Sequence, residues 1–454
     1  MNRIATRAGI VIILALALVV GFSFFVAEYV INGENWIISE GSSHLDARGG
    51  VKTGIVVDTH GEFLLNLGGG RTYSEVESFR KTVLHWLGDR DGYIYAPLLS
   101  QFDEEMLGYD LMTGTYTYGD NAAKVQLTLS AHVQQAALEA MGDYKGVVAV
   151  YNYKTGQLLC SVTTPCYDPD NIPSDLEADP AYKDAYYNKF MQFTYTPGSI
   201  FKVVTLAAAV EELDNLQELE FSCTGSYLMG VDTVTCTGTH GKQNIQAAFR
   251  NSCNCAFAQL SEELGAEAMA KYAQQFGIAE SVSLDGLTTA KGNYEADRSA
   301  VNLAWSAIGQ YRDQINPCAF LKFIGAIANG SASPEMYLVE KIGIESKVTY
   351  EAQVKHGDSI MSEETARLVR EYMRSNVSEK YGDENFEGLS VCAKTGTGEV
   401  GGDQKPNAMF TGFVENEEYP LAFIICVENG GFGSTVCVPI ASKVLASCKE
   451  AMDG

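Results

Sequence analysis

The longest apolar run comes almost at once. From Ala8 to Ala27 the chain reads AGIVIILALALVVGFSFFVA, twenty residues without a charge, enough for a helix to cross a bilayer core of about 30 Å. Arg3 and Arg7 precede the run, and Glu28 and Glu34 follow it. The positive-inside rule therefore predicts a single-pass anchor in the cell membrane, its tip in the cytoplasm and its body outside. A cleaved signal peptide fits less well, because its apolar core is shorter, about 7–15 residues, and no clean A-x-A site follows. No later stretch is long and apolar enough to span.

Beyond the anchor the period changes. Residues 31–120 read as short strands and turns: TGIVVDTHGEFLL alternates around Asp58 and Gly61, and Gly68-Gly69-Gly70 interrupts it. The Gly- and Tyr-rich YDLMTGTYTYGDN marks a boundary near Asn121. VQLTLSAHVQQAALEAM then reads as a strand entering a helix, and KGVVAVYNYKTGQLLCSVTT as two strands joined at Lys154-Thr155-Gly156. CYDPDNIPSDLEADPAY is polar and Pro-rich, a surface loop. SIFKVVTLAAAVEEL has the i, i+3, i+4 pattern of a buried helix, and SCNCAFAQLSEELGAEAMAKYAQ opens a second helical stretch. LSVCAKTGTGEV is a strand ended by glycines, and AMFTGFVENEEYPLAFIICVENGG supplies two more strands of the same sheet. No internal repeat or low-complexity tract appears.

Composition narrows the picture in two ways. At 454 residues and 46% hydrophobic, the chain is long and apolar enough for two or three domains with a large core. The formal net charge of −25, from 57 acids against 32 bases, excludes a nucleic-acid partner, since no basic run can neutralise a phosphate backbone. Eleven cysteines leave at least one without an intramolecular partner. Cys223 and Cys236, bracketing a turn-rich segment, are the best candidate disulfide. With His240 they also suggest zinc, although their spacing fits no usual site. Cys160, Cys392 and Cys426 sit in apolar runs and read as small buried hydrophobes.

Three motifs carry the candidate chemistry: Ser199-Ile200-Phe201-Lys202, Ser252-Cys253-Asn254 and Lys394-Thr395-Gly396-Thr397. Read as S-x-x-K, S-x-N and K-T-G, they suit a serine acyl-transferase whose base is lysine. Pro197 and Gly198 form a turn that puts Ser199 at a helix N-terminus, where the dipole favours developing negative charge. Lys202 lies one turn on, and its apolar helix should lower its pKa until it can serve as base. Ser252 can relay a proton and Asn254 bind a peptide carbonyl. The bland alternative for Ser252 is an N-cap serine. Lys394 with Thr395 and Thr397 suits a carboxylate, and Gly396 lets a substrate backbone lie close to the strand edge. The backbone N–H groups of Ser199 and Thr397 are candidates for an oxyanion hole.

With their flanks, LTLSAHVQQAALEAM, YTPGSIFKVVTLAAAVE, CTGTHGKQNIQAAFRNSCNCAFAQL and PNAMFTGFVENEEYPLAFIICVENGG, these motifs resemble the penicillin-binding proteins, specifically the monofunctional class B transpeptidases, across nearly the whole chain. Residues 53–65 resemble the R-G-x-I-x-D-x-x-G-x-x-L block of the family's N-terminal pedestal, with Thr53 where the arginine stands. The resemblance implies an α+β fold, a serine beta-lactamase-like transpeptidase domain with an antiparallel sheet flanked by helices. It also implies a small β-rich pedestal. The expected division is anchor 1–30, pedestal 31–120 and transpeptidase domain 121–454.

The implied reaction is attack by Ser199 on the D-Ala-D-Ala bond of a peptidoglycan stem peptide, then transfer to a neighbouring amine, with no metal or organic cofactor. Lys202 would be the base, Ser252 the relay, Asn254 the substrate-amide contact, and Lys394 with Thr395 and Thr397 the carboxylate cradle, with Gly396 beside them in the substrate-binding strand. Beta-lactams would acylate the same serine, and the expected partner is a polytopic membrane glycosyltransferase. A D,D-carboxypeptidase would use the same residues with water as acceptor. A class A enzyme needs a glycosyltransferase domain, for which the residues before 121 are too few. A class A beta-lactamase needs a deacylating glutamate, and no E-x-x-x-N lies between Ser252 and Lys394. A beta-lactam sensor or inert scaffold is the non-enzymatic alternative, against which the intact motifs count.

Overall fold

The computed structural model describes residues 2–37, 53–94, 96–107, 109–110, 115–116 and 123–454. The expected boundary at Asn121 lies outside these residues. The N-terminal helix spans Asn2–Ile37, and within it Arg3–Ile31 is long and apolar enough to cross a membrane, with none of it buried against the body.

Residues 53–73 form the expected short strands, but the following stretch corrects the reading of 31–120 as strands and turns. Helices occupy Glu77–Thr82, Leu84–Leu87 and Asp103–Leu107. Phe79, Val83, Trp86 and Leu87 are all buried, and their i, i+4, i+7, i+8 spacing is the helical period. The strands Ile55–Val57, Phe63–Asn66 and Thr72–Tyr73 do not form a sheet of their own. They continue a six-stranded sheet ordered Lys347–Glu351, Val339–Ile344, Lys124–Leu127, Ile55–Val57, Phe63–Asn66, Thr72–Tyr73. One pairing, Ile55–Val57 with Lys124–Leu127, is parallel. Asp58 explains why the hairpin sits where it does. Fully buried, it accepts backbone N–H bonds from His60 and Glu62 at 2.8 Å and from Ala131 at 2.9 Å. It thus ties the hairpin turn to the start of helix α1 (Ala131–Met141).

The main sheet is antiparallel throughout. Its strands are β1 (Gly146–Asn152), β2 (Leu158–Thr164), β3 (Val391–Gly398), β4 (Asn407–Val414) and β5 (Leu421–Val427), in the order β3-β4-β5-β1-β2. Both faces of β1, β4 and β5 are buried, so they read as continuous apolar runs. Alternate residues pack into two cores. Val148, Val150, Phe410, Phe423 and Ile425 face α1 and the C-terminal helix Gly433–Asp453. Val147, Ala149, Met409, Ile424 and Cys426 face the larger core, which holds helices α2 (Lys202–Glu212), α3 (Asn254–Gln275) and α4 (Pro317–Asn329). Helices thus cover both faces and leave β3 as one edge.

Candidate active site

The site forms where edge strand β3 meets the turn that carries Ser199. That turn, Gly198–Phe201, is a single 3-10 turn running directly into α2. Gly198 has φ +54, and a Cβ there would sit 2.1 Å from the Thr397 carbonyl oxygen. A Cβ on Gly396 would sit 2.7 Å from the Pro197 carbonyl oxygen and 2.9 Å from Ile200 Cγ2. Glycine at 396 therefore makes room for the serine turn while still lining the cleft.

Helix α2 is buried from Lys202 to Ala209, so the lysine is held in the core. Its Nζ lies 2.7 Å from Ser199 Oγ and 2.9 Å from Asn254 Oδ1, and 5.7 Å from the centre of the Phe257 ring. Burial without a carboxylate partner brings its pKa down to about 7. Near neutral pH a substantial fraction is therefore the free amine that can accept the serine proton.

Ser252 and Asn254 come from the junction between helix Ile245–Arg250 and α3. Ser252 adopts φ +54, a left-handed conformation uncommon for a residue other than glycine. It is not the helix cap: Cys253 is, its sulfur accepting from the Ala256 N–H. The Ser252 hydroxyl instead accepts from Lys394 Nζ at 2.9 Å. The Asn254 amide donates to the Thr235 carbonyl at 2.9 Å. Lys394 is also fully buried and donates a second bond to the Thr395 carbonyl at 3.0 Å. Burial, together with the Lys202 and Lys380 charges, holds its ammonium well below the ordinary lysine range. Thr395 and Thr397, half-buried on alternate positions of β3, line the cleft.

All eight sequence-derived residues thus belong to one cluster; Ser199, Ser252, Asn254, Thr395, Gly396 and Thr397 line a cleft of about 640 Å³, with the two lysines directly beneath. Sequence reading missed other parts of its wall. Tyr381 closes an irregular turn, Val377–Tyr381, and its hydroxyl lies 3.0 Å from Thr395 Oγ1 while accepting the Thr395 N–H at 3.2 Å. Gln310 donates to the Thr397 carbonyl at 3.1 Å. Lys380 contributes a further cation, and Trp305 and Phe432 contribute aromatic surface. No motif spacing flags these residues: Lys380 and Tyr381 share one turn, Trp305 lies in the helix Ala300–Ala307, and Gln310 and Phe432 lie in irregular connections, so they meet only in the fold. The candidate disulfide is corrected: Cys223 and Cys236 are both free thiols.

The family model for the penicillin binding protein transpeptidase domain matches residues 146–446. The peptidoglycan D,D-transpeptidase PbpA of Mycobacterium tuberculosis is 28% identical over 394 residues, 78% of each chain. The stage V sporulation protein D of Bacillus subtilis is 31% identical over 343 residues, covering 71% of this chain and 52% of its own length. Among solved structures, a penicillin G acyl-enzyme complex of M. tuberculosis penicillin-binding protein A superposes with a TM-score of 0.73 at 24% identity. It covers 87% of this chain and 99% of that one. The D,D-transpeptidase domain of an Eggerthella lenta peptidoglycan glycosyltransferase gives 0.75 at 24% identity, covering 88% and 99%.

Proposed function

The chain belongs to the penicillin-binding protein transpeptidase family, class B, and we infer that it cross-links peptidoglycan stem peptides through an acyl-enzyme on Ser199. The observation that carries this reading is the buried Lys202 amine, 2.7 Å from Ser199 Oγ at the floor of an open cleft.

Acylation begins with Lys202, as the free amine, accepting the hydroxyl proton while Oγ attacks the carbonyl carbon between the two D-alanines. The N–H groups of Ser199 and Thr397 receive the developing oxyanion. The C–N bond then breaks, and the departing D-alanine nitrogen takes a proton from the Lys202 ammonium by way of Ser252. Lys394, Thr395 and Thr397 hold the terminal carboxylate, which returns to the buried Lys394 the charge stabilisation that burial removes. Asn254 stays oriented by Lys202 and Thr235 and presents its amide to the substrate backbone. In the second half, the amine of a neighbouring stem attacks the ester carbonyl, gives up a proton to Lys202, and Ser199 leaves with its hydroxyl restored. A beta-lactam ring would acylate the same oxygen.

The helix Arg3–Ile31 supports a single-pass anchor in the cell membrane with the catalytic body outside it. The six-stranded sheet would serve as the pedestal, and a polytopic membrane glycosyltransferase is the expected partner through helix and pedestal. The deciding assay uses a stem-peptide thioester with and without a D-amino acid acceptor. Formation of the acceptor adduct by wild type, and its loss in Ser199→Ala, is the expected result. Hydrolysis alone at saturating acceptor would make the chain a carboxypeptidase.

A further inference from the structure

Beside the cleft lies a second group of reactive side chains that acyl transfer does not use. Cys223 ends the strand Phe221–Cys223, and Cys236 follows the hairpin strand Asp232–Thr235. His240 precedes Gly241–Gln243, which pairs back onto Phe221–Cys223. Cys253 is the middle residue of the Ser252-Cys253-Asn254 motif and caps α3. One atom from each, three sulfurs and an imidazole nitrogen, all lie within 4.8 Å of one another.

The individual distances say more. His240 Nδ1 is 3.5 Å from Cys223 Sγ and 3.6 Å from Cys236 Sγ, and the sulfurs of Cys236 and Cys253 are 3.8 Å apart. A tetrahedral zinc ion with bonds of about 2.3 Å to sulfur and about 2.05 Å to nitrogen requires S···N edges of about 3.6 Å and S···S edges of about 3.8 Å. The three edges agree with that figure. A disulfide would bring two sulfurs to about 2.05 Å, leaving a thiol and the imidazole without a purpose. Cys223 and Cys253 are buried, Cys236 and His240 half-buried, so the set is enclosed yet reachable. The four ligands stand at the intersection of two pieces of chain, which explains why the linear spacing C-x12-C-x3-H-x12-C matches no compact zinc motif.

We propose that Cys223, Cys236, His240 and Cys253 bind one zinc ion as a closed Cys3His site that fastens the hairpin wall of the substrate cleft to the Ser252–Asn254 turn. Soft thiolates in a tetrahedron select zinc over the hard divalent ions. Four protein ligands leave no open position, so the ion is structural and takes no part in acyl transfer. Binding releases the three thiol protons, leaving the zinc with three thiolates and a neutral imidazole, net charge −1. The ion would fix both neighbours of Cys253: Ser252, held at φ +54, and Asn254, whose amide already reaches the Thr235 carbonyl beside Cys236. The Cys255 thiol approaches Cys223 and Cys236 but lies outside the ligand set.

The test uses the full chain purified in detergent from zinc-supplemented cells, with no chelator. Elemental analysis should find one zinc per chain, and a thiol-specific mercurial should release it. Exchange with cobalt(II) should give the near-ultraviolet thiolate-to-metal charge-transfer band of a tetrahedral site. Cys236→Ser and His240→Ala should each lose the stoichiometric zinc, while Cys166→Ser and Cys255→Ala keep it. Wild-type protein that labels with a fluorescent penicillin yet contains no zinc overturns the proposal, as does a Cys236–Cys253 disulfide found by mass mapping. Loss of zinc from Cys255→Ala with retention in a Cys253→Ala variant overturns the assigned set. Metal content is read without turnover, so its outcome stands apart from that of the acceptor assay.

Discussion

The Lys394 ammonium donates to the Ser252 hydroxyl at 2.9 Å, and this bond joins the sheet edge to the helical layer. Lys202, buried with it, engages Ser199 and Asn254 instead. In the proposed reaction the two lysines therefore divide the site: Lys202 would activate the nucleophile, and Lys394 would hold the relay serine and receive the carboxylate.

Removing the relay should slow acylation more than it weakens binding. Ser252→Ala deletes the Lys394 acceptor and the proton path. A lost acid–base group typically costs about 10²–10⁴ in rate. The rate of labelling by a fluorescent penicillin should fall within that range while the circular dichroism spectrum stays unchanged. An effect under threefold would remove Ser252 from the mechanism.

The pH dependence follows from Lys202. Burial disfavours its cation, so the folded-state pKa lies near 7, below the ordinary lysine value of 10.5. Below that pH the amine is protonated and cannot take the serine proton. The acylation rate should climb about tenfold per pH unit up to pH 7 and then level off. Lys202→Arg keeps the positive charge at all accessible pH values, and should be inactive throughout. Stopped-flow labelling between pH 5 and 9 checks both; a profile flat across pH 5–8 would contradict the assigned base.

Gly396→Ala places a methyl group 2.7 Å from the Pro197 carbonyl oxygen. The serine turn must then move away from β3, and strain of this kind costs about 1–3 kcal/mol. We expect a lower Tm together with a loss of penicillin labelling. A variant with unaltered stability and labelling would mean that the turn yields freely.

Away from the cleft, Lys189 is fully buried and pairs with Glu428 at 2.6 Å; the Tyr195 hydroxyl donates to the same carboxylate oxygen at 3.0 Å. Glu428→Leu strands the lysine charge, and breaking a buried pair costs about 3–5 kcal/mol. Urea denaturation of the folded body should show that loss, and Lys189→Met introduced alongside should recover part of it.

What the sequence reveals depends on how local the cause is. The three motifs are readable because each needs its neighbours in the chain: Lys202 works from the turn after Ser199, and Asn254 from the helix that Cys253 caps. The strands of the main sheet are readable because both faces are buried and the apolar runs are continuous. Tyr381 and Gln310 reach the cleft only when distant segments meet, so no short-range pattern announces them; Cys223, Cys236 and His240 stand together in the chain, but Cys253 joins them only in the fold. The helices between Glu77 and Leu107 are short, and turn residues around them obscure their period. Gly396 is a different case: the need for a small residue there is legible, but the packing of the serine turn against it appears only in three dimensions.

The six-stranded sheet has a consequence for how the protein is made. Its middle strand, Lys124–Leu127, lies between Ile55–Val57, synthesised early, and Val339–Ile344, synthesised late. At about 5–20 residues per second the wait between them is tens of seconds, during which the nascent sheet has an open, hydrogen-bonding margin. Such margins recruit other chains. The interval before residue 344 emerges is therefore when the growing polypeptide most needs a chaperone, and mutations that weaken the Val339–Glu351 hairpin should reveal themselves first as aggregation during synthesis.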